Sequence, residues 1–142
     1  MDRFQPAESN LRPKWPRVPS RRPHPSGLAG RLMIVEFVEF RHKAGLSREQ
    51  ILAEARATVS KWRSDADLIR KYYVAGDNDM GGAVYIWTSR EAAERGHDAA
   101  WRSAVEQRTG ARPVIRYFDL FMLIDNSDGA VVEFPPNAPW RR

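Results

Sequence analysis

His97 is the residue best placed to do chemistry. It falls at helical spacing with Ala93, Ala100, Trp101 and Ala104, so an imidazole and an indole share one apolar stripe. An imidazole has a reference pKa near ~6.5 and moves protons at neutral pH, which makes His97 a candidate acid/base. The same position also fits a core histidine bonded to a backbone carbonyl. Trp62, Trp87 and Trp101 fit large core residues, and together with His97 on the covered face they mark a candidate site. Glu36 and Glu39 fall on opposite faces of one strand pattern, so one of them points inward, where a carboxylate could act as a base. Arg70 and Lys71 pose the same question on another strand. One of them faces inward or across a dimer, as a salt-bridged structural residue or as an anion clamp. His42 reads as a solvated loop residue and His24 lies in a terminal tail.

Other chemistries lack their residues. The chain has no cysteine, which removes disulfides, thiolate nucleophiles and thiolate metal sites. No metal-ligand spacing, nucleophile elbow, phosphate loop or dinucleotide fingerprint is present, so the expected cofactors and metals are none. Gly81-Gly82 enters a strand instead of opening a helix and reads as a hairpin feature.

These residues must be positioned by a regular framework, and the pattern supplies one. Leu32 to Phe40 predicts a strand. Ser47 with Gln50 is a capping box opening a helix to about Trp62, with Ile51, Ala55, Val59 and Trp62 on one face. Leu68 to Ala75 predicts a second strand, Gly76 to Met80 a hairpin loop, and Ala83 to Trp87 a third strand that is apolar on both faces. Thr88 with Glu91 forms a second capping box, for a helix from about Ser89 to Arg108 that Gly110 stops. Val114 to Ile124 predicts a fourth strand, Asp125 to Gly129 a turn, and Ala130 to Phe134 a short fifth strand. The order β-α-β-β-α-β is that of a ferredoxin-like α+β domain, an antiparallel sheet with two helices on one face. Two helices cover only one face of a sheet that is apolar on both. The other is expected to pair with a second copy, giving a homodimer.

Charge and proline mark the ends of this domain. Residues 1–30 hold six of the ten prolines and a net charge of +4, residues 135–142 hold three more prolines and +2, and the body, 31–134, carries 15 basic and 16 acidic residues. The basic segments are expected to be extended tails. The first offers a contact arm for a protein partner through Leu11, Trp15 and Val18. A body without a basic excess disfavours nucleic-acid binding, and the lack of a ~20-residue apolar run disfavours a membrane span, so a cytoplasmic location is expected.

Trp87-x-Ser89, then His97, then Trp101, in a domain of this order, resembles the antibiotic-biosynthesis monooxygenase family. A Gly-Gly-aromatic strand, an Ala-rich helix and a closing strand like Arg116-Tyr-Phe-Asp119 are similar to its small monooxygenase members. The resemblance covers roughly 31–126. It implies a dimeric α+β barrel and an oxygenase needing no metal or flavin, in which an electron-rich phenol or anthrone is deprotonated in an apolar pocket and its carbanion meets oxygen. The superfamily also contains haem-degrading enzymes, cyclases, dehydratases and ligand-sensing domains. The haem-degrading members use a strand-one Asn with a strand-three Trp and a helix-two His; Trp87 and His97 match, but Met33 to Phe40 contains no Asn. The resulting expectation is a monooxygenase-like enzyme acting on an aromatic or polyketide-like molecule, with His97 catalytic and Tyr72, Tyr85, Trp87, Trp62 and Trp101 binding the substrate. A non-catalytic dimeric module that binds a hydrophobic ligand or a protein, and a lyase or cyclase on the same scaffold, are the alternatives.

Overall fold

The computed structural model describes residues 30–137; the expected N-terminal arm and residues 138–142 lie outside them. Four strands, β1 (Ile34–Arg41), β2 (Leu68–Ala75), β3 (Met80–Trp87) and β4 (Val114–Asp119), form one sheet in the order β2-β3-β1-β4. Every ladder is antiparallel. A helical crossover separates β1 from β2, and β3 fills the gap between them, which is the split β-α-β arrangement expected from the element order. A second, two-stranded sheet pairs β5 (Met122–Asp125) with β6 (Ala130–Glu133).

Alternation along the strands sets the two faces. Ile34, Glu36 and Val38 of β1 and Ala83, Tyr85 and Trp87 of β3 are buried, and Trp62, Ala92 and Ala93 pack on them from the helices. On the other face Tyr72, Val74, Val114 and Phe118 are 41–54% exposed.

The expected helices each divide in two. The first becomes α1 (Arg48–Ala57) and α2 (Val59–Arg63), interrupted at Thr58, whose hydroxyl contacts both the Ala55 carbonyl and the Tyr73 hydroxyl at 2.8 and 2.7 Å. The Ser47–Gln50 capping box forms in full. The second becomes α3 (Arg90–Gly96) and α4 (Ala99–Thr109). His97 leaves helical geometry at φ −122°, ψ 58°, and Asp98 recaps the chain by accepting the Trp101 amide at 2.9 Å. Ser89, and not Thr88, caps α3; Thr88 instead donates to Asp67 at 3.2 Å. Gly110 ends α4 at φ 78°, as expected.

The expected long fourth strand is likewise cut at Asp119. Ile34 is the first residue of β1 and pairs with Asp119, so the ladder that β4 joins ends there. Leu120 bonds the Met33 carbonyl and the chain turns into β5. Asn137, in the stretch expected as a tail, donates to the Met33 carbonyl and the Asp119 carboxylate at 2.9 and 2.8 Å.

Gly82 is needed inside the sheet, beyond any hairpin role. Its φ is +152°, and a Cβ there would lie 1.8 Å from the Val38 carbonyl oxygen of the neighbouring strand. Gly82→Ala should therefore cost about 3 kcal/mol or more in denaturant melts, since β1 and β3 must part to admit one methyl. Gly76→Ala, with its nearest neighbour 3.7 Å away, should stay within about 1 kcal/mol of the parent.

Candidate functional site

A row of polar side chains crosses the helix-covered face of the sheet. Lys71 of β2 is in register with Tyr85 of β3, Tyr85 with Glu36 of β1, and Glu36 with Tyr117 of β4. Since adjacent strands place registered residues on the same face, these four groups form one continuous line.

At the centre of the row Glu36 is fully buried. Its Oε1 accepts from Trp87 Nε1 at 2.9 Å and lies 2.8 Å from His97 Nδ1. The His97 contact is close but out of line for a directed hydrogen bond. His97 is boxed by aromatic rings, with centroids 4.3 Å away for Trp101, 4.6 Å for Tyr85, 5.1 Å for Trp62 and 6.2 Å for Trp87. Such edge and tilted ring contacts contribute about 0.5–1.5 kcal/mol each beyond area burial. Burial and the Glu36 charge both raise the Tyr85 and Tyr117 hydroxyl pKa values, so both phenols stay protonated.

A cavity of about 530 Å³ opens at the β2 end of the row, between the sheet and helices α1 and α4. Trp62, Tyr73, Tyr85 and Trp101 supply its aromatic wall, Ile51 and Val105 its aliphatic one, and Lys71 its amine. The Lys71 ammonium stands 3.9 Å from the Tyr73 ring centroid, 4.3 Å from that of Trp62 and 4.7 Å from that of Tyr85. Burial, helped by the nearby Lys61 charge, lowers its pKa from the ordinary lysine value to about 7. A lysine in this setting is an amine base at neutral pH that gains a charge when it takes a proton.

The structure brings Tyr85, Trp62 and Trp101 together on the cavity wall. It places His97 and Trp87 behind that wall, fully buried against Glu36, so neither borders the cavity. Tyr72 is half exposed on the opposite face of the sheet. The cause is a β-bulge: Leu68 opposes Trp87 while Arg70 opposes Ile86, so two residues of β2 span one of β3. Strict alternation from Leu68 would turn Arg70 and Tyr72 inward; the bulge turns Lys71 and Tyr73 inward instead. Of the two carboxylates, Glu36 is the inward one, while Glu39 is partly exposed and pairs with Arg116. Among the described residues no cluster of three or more potential metal ligands occurs, and no helix is long and apolar enough to cross a membrane.

No family model matches the sequence, and no curated protein matches it. Solved structures do. A protein of unknown function from Nitrosomonas europaea superposes with a TM-score of 0.51 at 14% identity, covering 63% of this chain and 89% of its own. The chain has a ferredoxin-like α+β fold. Other similar structures are a Streptomyces coelicolor monooxygenase in complex with nanaomycin D (19% identity, 63% and 88% coverage, TM-score 0.49) and a dimeric ferredoxin-like protein of unknown function from Thermobifida fusca (15% identity, 68% and 99% coverage, TM-score 0.47).

Removing either member of the buried pair strands the other. His97→Ala should cost about 3–5 kcal/mol in denaturant melts, through a cavity among four rings and a buried Glu36 side chain left without its neighbour. Glu36→Ala should cost a similar amount by orphaning Trp87 Nε1. The double variant should lose less than the sum, with a coupling of about 1 kcal/mol or more. A loss below about 1 kcal/mol for both single variants would contradict this assignment.

Proposed function

We propose that the protein is a monooxygenase-type enzyme that oxidises a phenolic or anthrone-like aromatic molecule in the cavity between α1, α4 and the sheet. The observation that carries the reading is the Lys71 amine, with its pKa near 7, set among three aromatic rings on the wall of a cavity of about 530 Å³. That volume suits a molecule of two or three fused rings. In the proposed reaction the neutral Lys71 amine takes the acidic proton of the substrate. The aromatic anion so formed is held against the new ammonium in a partly dry site, where a charge pair is stronger than in water. Dioxygen then accepts electrons from that anion. One oxygen atom ends as a carbonyl on the ring, and the other leaves as water with two hydrogens of the substrate.

The resemblance in sequence to the antibiotic-biosynthesis monooxygenases supports oxygen as the second substrate and a reaction that calls on no metal or flavin. We assign the base to Lys71 and not to His97. His97 is walled off from the cavity and serves as the framework behind it, while Lys71, Tyr85, Trp62 and Trp101 are the groups a ligand would meet. Because Lys71 acts in its unprotonated form, turnover with a phenol of pKa well above 8 should fall as pH drops through about 7 and level off above it. Oxygen uptake with anthrone and hydroxylated naphthalenes, followed from pH 5.5 to 9, checks this. Lys71→Met should remove at least 100-fold of kcat/KM and abolish the pH step. Ligand binding without oxygen uptake at any pH would favour a non-catalytic binding module.

We also propose that the enzyme works as a homodimer joined through the free face of the sheet. Tyr72, Val74, Val114 and Phe118 of that face are 41–54% exposed, and Val35, Phe37, Val84 and Ile86 lie on it between them. Light scattering should give twice the chain mass at micromolar concentration. Phe118→Arg, which sets a charge on the β4 side of the patch, should shift the protein toward monomer.

A further inference from the structure

The cavity has a charge that the rest of the domain does not share. Residues 31–134 carry 15 basic against 16 acidic side chains. The cavity lining nonetheless contains Arg48, Lys61, Lys71 and Arg108 against a single carboxylate, Glu54. Glu54 has its own neighbour, since its Oε2 lies 3.8 Å from His42 Nδ1. Among the described residues none of the four cations has a carboxylate within 4.0 Å, although five arginine–carboxylate pairs form elsewhere in the domain. Two of the four crowd the same ring: the Lys61 and Lys71 ammonium groups stand 4.5 and 4.3 Å from the Trp62 centroid. The Lys61 charge disfavours a charge on Lys71, which adds to burial in holding Lys71 low. Like charges gathered without counter-ions on an aromatic wall are unfavourable in the free protein, and a bound anion relieves them.

We propose that the cavity selects an aromatic substrate bearing a carboxylate, with the acid group held by Lys61 and the mouth arginines Arg48 and Arg108 while the ring stacks beside Trp62 and presents its phenol to Lys71. This deepens the reading of the cavity as the substrate pocket and rests on it. The division of labour follows from depth. Lys61, Arg48 and Arg108 are exposed at the outer part of the lining, which suits an anion arriving from water. Lys71 is half buried among the rings and poised to take a proton.

Isothermal titration of the full-length protein with 3-hydroxy-2-naphthoate and with 2-naphthol separates the parts of this reading. The two probes share the fused phenol and differ in the carboxylate. The hydroxynaphthoate should bind at least ten-fold more tightly in 50 mM salt, and this preference should shrink at 500 mM because the cations at the mouth are screened. Lys61→Met combined with Arg108→Gln, with melting temperature checked against the parent, should weaken hydroxynaphthoate at least five-fold and leave 2-naphthol within two-fold. Equal affinity for the two probes, or a preference that survives in the double variant, would overturn the selection for an acid while leaving an aromatic pocket in place. Binding of neither probe at 1 mM would overturn both that selection and the pocket reading itself.

Discussion

The rest of the structure depends on one carboxylate placed where carboxylates rarely go. Glu36 sits on β1, a central strand of the sheet, fully buried. Removing such a group from water costs several kcal/mol, which only close partners can offset. The indole N–H of Trp87 and the imidazole of His97 converge on one of its oxygens. Meeting that demand decides much else. It draws His97 down onto the sheet at the point where the helix breaks, and it fixes the plane of Trp87. The box of rings around His97 in turn backs Trp62, Tyr85 and Trp101, the surfaces that form the cavity wall. The cavity is shaped from behind by a polar interaction that it does not itself touch.

Most of the framework was legible because each element carried its own local signal. Runs of β-branched and aromatic residues marked β1 and β3, the Ser47–Gln50 box marked the start of α1, and Gly110 marked the end of α4. The breaks were harder. Helical spacing of Ala93, His97 and Trp101 reads as one continuous stripe, and the tertiary pull of Glu36 on His97 interrupts it. A signal was present in Gly96-His97-Asp98, a helix breaker followed by a good N-cap residue, but it is outweighed locally by the alanines on either side. The end of β4 carried no local mark at all, since it is set by where β1 begins on the neighbouring strand.

The site was legible in its residue types more than in its geometry. Alternation correctly separated Glu36 from Glu39, and it required one of Arg70 and Lys71 to point inward without saying which. The residues that line the cavity come from β2, β3 and several helices, and only packing brings them together. His97 looked like the acid/base because an imidazole has the right intrinsic pKa. The structure gives the comparable property to Lys71, an amine whose usual pKa is far too high, by burying it among rings and beside a like charge. Intrinsic pKa is written in the sequence, whereas an environmental one is not.

The bulge in β2 has a consequence for how this domain tolerates changes of length. Leu68 and Ile69 together occupy the place opposite Trp87, and normal pairing resumes at Arg70. A residue gained or lost at that spot alters the bulge and leaves Lys71 and Tyr73 facing the cavity. The same change a few positions later would exchange an amine and a phenol for Arg70 or Tyr72 along the rest of the strand. One end of β2 thus acts as slack for its reading frame, while the other has none, and a single insertion or deletion there would exchange the chemistry of the pocket without altering any residue's identity.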